Sequence, residues 1–294
     1  GHVPLINGLY DAHRSGGPVI VIASTCATTE FGSEYFQETN TIKLFDDCSL
    51  YNQMATTPAQ LPRMLQAGIQ HALNRKGVAV IGVPGDLTKM DAEEIGSSVQ
   101  FYKPQAKVIP AGADLQQLNA LFSQYDKITL FCGIGAADAH DEVVQLSQLL
   151  HAPVGYSFKA KMDIQHLNPN EVGMTGLLGL PSAFHSMNES ELLLLLGTDF
   201  PYVPFMPADC KIVQIDTRPE RIGRRAKVDI GLCGNIKDTL EALLPMVKQK
   251  NNNDFLNEQL AFYDEVKKQM QTYVDDAGNK ELIHPEFIAA IIDR

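Results

Sequence analysis

The chain has 294 residues, 45% of them hydrophobic, enough for one large or two ordinary α/β domains with real cores. Acidic residues outnumber basic ones 35 to 24, and the resulting net charge of -11 opposes attraction to nucleic acid and to anionic bilayers. Cys26, Cys48, Cys132, Cys210 and Cys233 are odd in number and never form a C-x-x-C pair, which argues against a disulfide framework or zinc knuckle and for a cytoplasmic setting.

Taken in chain order, residues 5–16 carry apolar side chains at helical spacing up to Gly16-Gly17, and 18–23 read as a buried strand. Small polar residues over 25–35 predict a loop, and a helix follows through Ile42, Leu44 and Phe45. A long amphipathic helix is predicted over 58–74, with Leu61, Met64, Leu65 and Ile69 on one face and Lys76-Gly77 closing it. Residues 78–83 make the next buried strand, ended by Pro84-Gly85-Asp86. Between 87 and 112 the periodicity disappears and prolines recur at Pro104 and Pro110, the mark of an interdomain linker.

Beyond the linker the spacing predicts a helix over 114–124, a strand over 128–132, a helix over 140–150 and a short strand over 153–156. An irregular segment runs to 179 and a helix starts near 181, ahead of two unbroken apolar strands at 192–196 and 211–216. A short strand over 228–232 and a helix over 236–247 complete this part. After the polar break at 248–253, a charged helix is predicted over 254–273, and His284-Pro285 starts a last helical pattern. The first residue is not methionine and both ends run into helical patterns, so a piece of a longer protein is expected. The alternation predicts an α/β chain built as two doubly wound parallel-sheet units.

Unbroken apolar strands belong to parallel sheets covered on both faces, and such sheets bind ligands at the carboxyl ends of their strands. Thr198-Asp199-Phe200-Pro201-Tyr202 follows one such strand, offering a hydroxyl and two aromatic faces; Asp216 ends the next, placed to accept hydrogen bonds from a ribose. The alternatives are core aromatics and an aspartate that caps the turn at Thr217-Arg218-Pro219. Cys132-Gly133-Ile134-Gly135-Ala136-Ala137 admits two readings, a phosphate on its backbone amides or a tight strand-to-helix turn. The glycines of Gly173-Met174-Thr175-Gly176-Leu177-Leu178-Gly179 permit positive φ and close backbone approach. Arg218, Arg221, Arg224 and Arg225 crowd behind Asp216, where they neutralise phosphates or face water. The eight histidines show no H-E-x-x-H spacing and there is no G-x-S-x-G elbow, so no metal site and no self-contained acid, base or nucleophile is predicted.

Several ordered motifs bear a family likeness. They are Leu5-Ile6-Asn7-Gly8-Leu9-Tyr10-Asp11 with His13-Arg14, Gly32-Ser33-Glu34-Tyr35-Phe36-Gln37-Glu38-Thr39, and Val83-Pro84-Gly85-Asp86. Further on come Val172-Gly173-Met174-Thr175-Gly176, Leu196-Gly197-Thr198-Asp199-Phe200-Pro201-Tyr202 and Ile212-Val213-Gln214-Ile215-Asp216. With these the chain resembles, over essentially its whole length, the thiamine-diphosphate enzymes of the pyruvate oxidase and acetolactate synthase superfamily, above all the quinone-linked pyruvate dehydrogenase (pyruvate oxidase) branch.

The resemblance implies that 1–86 are the C-terminal part of a pyrimidine-binding domain, 87–112 a linker, 113–250 a central FAD-binding, Rossmann-like domain, and 251–294 a linker helix with the start of a third domain. It places FAD against Thr175, Gly176, Leu177 and Leu178 and against Thr198, Asp199, Phe200, Pro201 and Tyr202, with Asp216 on the adenosine ribose. Gln37 matches a catalytic-site position that lines the thiamine site from across a subunit interface, so a homo-oligomer, dimer or tetramer, is implied. The implied reaction is oxidative decarboxylation of pyruvate to acetate and CO2, with electrons passing through FAD to a quinone. Thiamine diphosphate and Mg²⁺ belong to the full-length parent, whose activating glutamate and Mg-diphosphate motif lie outside this sequence, so the chain by itself is expected to be inactive. The parent is expected in the cytoplasm, with peripheral attachment to the inner membrane left open. Two departures from the family pattern stand out, Gly234-Asn235 where relatives have Gly-Asp, and Ala160 in place of a glycine. An acetolactate synthase type lyase with structural FAD and a non-catalytic nucleotide-binding module are the alternatives.

Overall fold

The apolar runs pair as parallel strands in the computed structural model, which describes residues 2–92, 100–104, 106–275 and 282–293. The chain divides into two compact units, Gly1–Ala106 and Lys107–Arg294. In the first, the elements run α1 (Ile6–Ser15), β1 (Val19–Thr25), α2 (Thr41–Phe45), β2 (Tyr51–Met54), α3 (Leu61–Arg75) and β3 (Val78–Pro84). All seven residues of β3 are buried because it is the central strand, with β1 and β2 paired parallel on either side. Val78 and Val80 face Leu9 and Phe45 of α1 and α2, whereas Ile81 and Val83 face Leu61, Met64 and Leu65 of α3. Successive side chains of a strand point to opposite faces, so one apolar run serves both helical layers.

The second unit runs α4 (Gly112–Phe122), β4 (Ile128–Cys132), α5 (His140–Leu150), β5 (Val154–Tyr156), α6 (Lys161–Ile164), β6 (Glu171–Met174), α7 (Pro181–Asn188), β7 (Leu192–Leu196), β8 (Lys211–Asp216) and β9 (Ile230–Cys233). It closes with α8 (Ile236–Leu243), α9 (Asp254–Asp275) and α10 (Pro285–Ile292). The six strands are parallel and ordered β6-β5-β4-β7-β8-β9, the doubly wound arrangement in which strand order reverses between the first and fourth strands. Ile128, Leu130, Leu192, Leu194 and Leu196 pack on one face with Leu118 of α4, Leu146 of α5 and Leu240 of α8. Phe131, Leu193 and Leu195 pack on the other with Met187 of α7 and Phe200.

Two strands lie where the sequence reading predicts none. Tyr51–Met54 carries Asn52 and Gln53, and Glu171–Met174 holds Gly173 at φ 90°, so neither shows an apolar run. Both lie at sheet edges, where the ladder offered by the inner neighbour decides the conformation. The predicted helix over 236–247 ends instead at Leu243 and passes into a 3-10 turn at Leu244–Met246, where Pro245 cannot continue the hydrogen-bonding pattern.

Residues 251–294 contribute α9, which lies on α7 and β6. Glu171 holds it there: its carboxylate accepts from the hydroxyls of Tyr156 at 2.6 Å and Tyr263 at 2.9 Å. No described helix is long and apolar enough to cross a membrane.

Described residues 100–104 and 106–111 form no regular element, and 93–99 and 105 of the expected linker lie outside the described residues. The end of this segment is clasped. Val108 N–H donates to Asn235 Oδ1 and Asn235 N–H to Val108 O, each at 2.8 Å. A Cβ on Gly234 would stand 2.7 Å from Pro110, so the glycine is what lets the segment approach. Asn235 thus supplies the acceptor oxygen that an aspartate also has. Asn235→Ala should lower stability in urea unfolding by about 1 kcal/mol, the scale of one hydrogen bond, while Asn235→Asp should retain most of it.

Candidate functional site

The loops that follow β4, β6, β7 and β8 all leave the carboxyl edge of the parallel sheet. At the reversal point the turn after β4 is pressed against the turn after β7. Gly133 N–H donates to Leu196 O at 2.9 Å and Gly135 N–H to Gly197 O at 3.0 Å, while Ala136 and Ala137 donate within the turn. A Cβ on Gly197, whose φ is 58°, would come within 2.6 Å of Gly135 Cα. Four of the turn's five amides, all but that of Ile134, are therefore spent on carbonyls, and of the two readings of this motif the structure favours the tight turn.

The loop after β6 is different. Thr175 is buried and its N–H donates to Tyr156 O at 3.1 Å; Gly179 N–H closes a turn onto Gly176 O at 3.0 Å. Between them, the amides of Gly176, Leu177 and Leu178 have no acceptor among the described residues. Leu177 and Leu178 are 72% and 83% exposed, so those amides sit in an open turn rather than in the core. Gly176 has φ 130°, and a Cβ there would stand 3.2 Å from the Tyr202 ring. The β6 and β7 loops thus meet through a glycine and an aromatic face.

Phe200 is buried, edge-on to Phe131 and to Tyr202 with centroids 5.1 Å from each, and belongs to the core beneath the β7 loop. Tyr202 is only partly buried and Pro201 is exposed. Thr198 is buried at the loop's start, and its carbonyl accepts from Gln214 Nε2 at 3.4 Å. Gln214 also accepts from Gly223 N–H at 2.9 Å, so one buried amide side chain ties together the loops after β7 and β8. Sequence reasoning did not single out Gln214; the signal was a polar residue at an inward position of the apolar run Ile212-Val213-Gln214-Ile215.

Asp216 ends β8 almost fully buried, and its Oδ1 accepts from Arg218 N–H at 2.8 Å, an Asx turn. Burial pushes its carboxyl above the ordinary range, and the Arg218 amide and the nearby Arg221 charge offset part of that. Asp199 has the opposite balance. Burial would raise it, but Arg224 and Arg225, with Arg221 behind them, outweigh burial and hold the carboxyl below the ordinary range. Arg224 bonds Asp199 Oδ2, and Arg225 Nε lies 3.2 Å from Oδ1. Two of the four crowded arginines are therefore engaged by Asp199.

In the first unit, Gln37 stands exposed at φ 62° on a loop beside Phe36, which is 80% exposed. Glu38 shapes that loop by accepting from Gly32 N–H at 2.8 Å and Tyr35 N–H at 3.2 Å. Asp86 at the tip of β3 accepts from Thr28 N–H at 3.0 Å and its hydroxyl at 2.6 Å, which fixes the start of the loop after β1.

A hollow of about 480 Å³ opens at the amino end of β8, lined in part by Glu191, Asp209, Cys210, Lys227 and Asp229. Its charges alternate in sign and Lys211 already pairs with Asp229 at 3.0 Å, so it presents no consistent field to a ligand.

A carboxyl held low in the folded state stabilises above its unfolded value and loses that contribution as pH falls through the folded one. Asp199→Asn should therefore be less stable than the parent chain at pH 7, and urea midpoints of the two should converge as pH drops below about 4.

Comparison with known proteins adds the following. Residues 115–243 match the family described as thiamine pyrophosphate enzyme, central domain. The chain is 44% identical to an uncharacterized 42.6 kDa protein in the isoamylase 3' region of Pseudomonas amyloderamosa, over 90% of this chain and 67% of that protein. It is 32% identical to the putative thiamine pyrophosphate-containing protein YdaP of Bacillus subtilis, over 87% of this chain and 45% of the relative. It is 28% identical to the pyruvate oxidase of Lactiplantibacillus plantarum, over 89% and 44% respectively. The chain thus spans two thirds of the first relative and less than half of the other two. Residues 115–243, on the doubly wound parallel sheet, match the central domain of thiamine pyrophosphate enzymes, and the chain has homologues in the acetolactate synthase and pyruvate oxidase superfamily that depends on that cofactor.

Proposed function

We propose that the second unit binds the adenine dinucleotide FAD, and that the protein acts in a thiamine-diphosphate-dependent pyruvate:quinone oxidoreductase. The observation that carries the reading is the pairing of three unengaged amides at Gly176, Leu177 and Leu178 with a buried carboxylate, Asp216, along one carboxyl edge. They lie on loops of β6 and β8, four strand spacings or roughly 19 Å apart, which suits an extended dinucleotide better than a single nucleotide. The residues fit such a group in a particular way. The β6-loop amides and Thr175 would receive its phosphates and Asp216 its ribose, while Tyr202 and the Thr198–Pro201 backbone would line the path between. The turn at Gly133–Ala137 offers a phosphate only the Ile134 amide, because its other four are spent on carbonyls.

Thiamine diphosphate, when bound, supplies carbanion chemistry at the keto acid and FAD accepts two electrons; the protein's part is to bind, orient and exclude water. Asp216 would orient the adenosine end through Oδ2, since Oδ1 accepts from Arg218 N–H. Asp199, neutralised by Arg224 and Arg225, would shape the β7 loop rather than repel the diphosphate. Gln37 would line the thiamine site of a neighbouring subunit, which requires a homo-oligomer. The oxidase branch is favoured over the lyase by the higher identity to the pyruvate oxidase, 28%, than to the acetolactate synthases, 23–25%, over similar shares of the chain.

The chain purified with FAD should be yellow, and the visible spectrum should titrate on adding the flavin. Asp216→Ala should weaken binding by roughly 1–3 kcal/mol, the scale of a hydrogen bond to a charged group, with Asp216→Asn keeping the Asx turn intact as the control for folding. A colourless chain that ignores added FAD, or equal affinity in parent and Asp216→Ala, would reject the reading.

A further inference from the structure

The β6 loop carries the open amides, and the contacts beneath it lead to a residue that the cofactor reading leaves unused, Tyr263 of α9. β6 is an edge strand and it is bulged. Val154 pairs with Glu171 and Tyr156 with Met174, so Val172 and Gly173 together stand opposite the single residue Gly155. A bulge at an edge has no second strand to hold it, so other groups must fix where the residues after it point.

Glu171, Ser182 and Tyr263 do so here. The carboxylate of Glu171, at the start of the bulge, accepts from the Tyr156 hydroxyl at 2.6 Å and from the Tyr263 hydroxyl at 2.9 Å. Burial and Glu171 push both phenols up, so each keeps its proton and both remain donors. Val172 O accepts from Ser182 Oγ of α7 at 2.6 Å. Gly173, at φ 90°, presents a bare face to the Tyr263 ring: a Cβ there would stand 3.0 Å from Tyr263 Cε2. Glycine suits both that backbone angle and that close approach.

Tyr263 also reaches the far foot of the loop. Leu180 N–H donates to Met174 O at 2.7 Å and closes residues 175–179 over a narrow base. Leu180 packs in the same apolar cluster as Tyr263, Val172 and Ala183, and its Cδ1 would stand 3.5 Å from a Cβ on Gly173. Both feet of the loop therefore rest on one buried ring. Tyr156 joins this base to the loop itself, because its hydroxyl shares Glu171 with Tyr263 while its carbonyl accepts from Thr175 N–H at 3.1 Å, just ahead of the open amides. Lys267, one turn further along α9, holds its ammonium 4.4 Å from the Tyr263 ring centroid, which further fixes the ring.

We propose that Tyr263 is a positioning residue for the β6 loop: with its ring on Gly173 and its hydroxyl on Glu171 it holds the bulge, and so makes the placement of the Gly176, Leu177 and Leu178 amides depend on the seat of α9. A displacement of α9 is then felt at this loop before it is felt at β4, β7 or β8, which are held by strands on both sides. The consequence for a ligand rests on the FAD reading above. The consequence for the loop does not.

The test compares three variants of the full chain. Tyr263→Phe removes the hydroxyl and keeps the ring, Glu171→Gln leaves one acceptor oxygen where there were two, and Phe255→Ala truncates a buried residue about two turns away on the same helix. Backbone ¹H–¹⁵N signals are read without ligand, FAD affinity by quenching of flavin fluorescence, and stability by urea unfolding. Tyr263→Phe and Glu171→Gln should shift the amide signals of Gly176, Leu177 and Leu178 and weaken FAD binding roughly fivefold, the factor that one hydrogen bond supplies. Phe255→Ala should lower the urea midpoint by more, yet leave those three signals and the flavin affinity as they are in the parent. A purely structural role for Tyr263 would not produce that split. Unmoved Gly176–Leu178 signals or unchanged flavin affinity in both Tyr263→Phe and Glu171→Gln, or an equal loss of affinity in Phe255→Ala, would overturn the proposal. Should the parent bind no flavin, the FAD reading falls and the amide signals alone decide the positioning.

Discussion

Parallel pairing of β4 with β7, residue for residue from Ile128↔Leu192 to Cys132↔Leu196, sets the place where strand order reverses, and the surrounding loops take their positions from it. Because both strands are buried on both faces, they cannot shift by one residue without moving Phe131, Leu193 and Leu195 out of one core and Leu130 and Leu194 out of the other. That rigidity reaches the edge of the sheet. It drives the turns at Gly133–Ala137 and Gly197–Thr198 together so closely that only glycines fit.

The consequence is a division of labour among loops of similar composition. Glycines after β4 and β7 serve close packing, and their amides are consumed by neighbouring carbonyls. After β6 the β7 loop meets Gly176 with the Tyr202 ring rather than with carbonyls, and the amides of Gly176, Leu177 and Leu178 have no acceptor among the described residues. A glycine-rich stretch becomes an anion site when its N–H groups have nowhere else to go, which depends on position in the sheet more than on the glycines themselves.

Charge is arranged by the same logic. Asp199 and Asp216 lie at the tips of adjacent strands, yet one carboxyl is held low and the other raised. The difference is partnership: Asp199 meets two guanidinium groups, whereas Asp216 meets a backbone amide and the apolar end of β8. Gln214 links the two loops that carry them, so the electrostatics of this edge rest on a neutral buried side chain.

Much was legible without coordinates. Unbroken runs such as Leu192–Leu196 and Val78–Pro84 could only be strands buried on both faces, and their abrupt polar ends placed the candidate site, because hydrophobic periodicity is a local property of the chain. The edge strands β2 and β6 were not legible, since Asn52, Gln53 and Gly173 carry no strand preference and extend only because an inner strand offers unpaired groups. Nor was the fate of the two glycine motifs, or the bonding of Tyr263 to a carboxylate 92 residues away. Those outcomes depend on which donors find acceptors once distant segments meet. The sequence by itself determined the elements, the α/β class and the residues able to do chemistry; the tertiary structure alone decided which of their polar groups are already satisfied and which are left to bind something else.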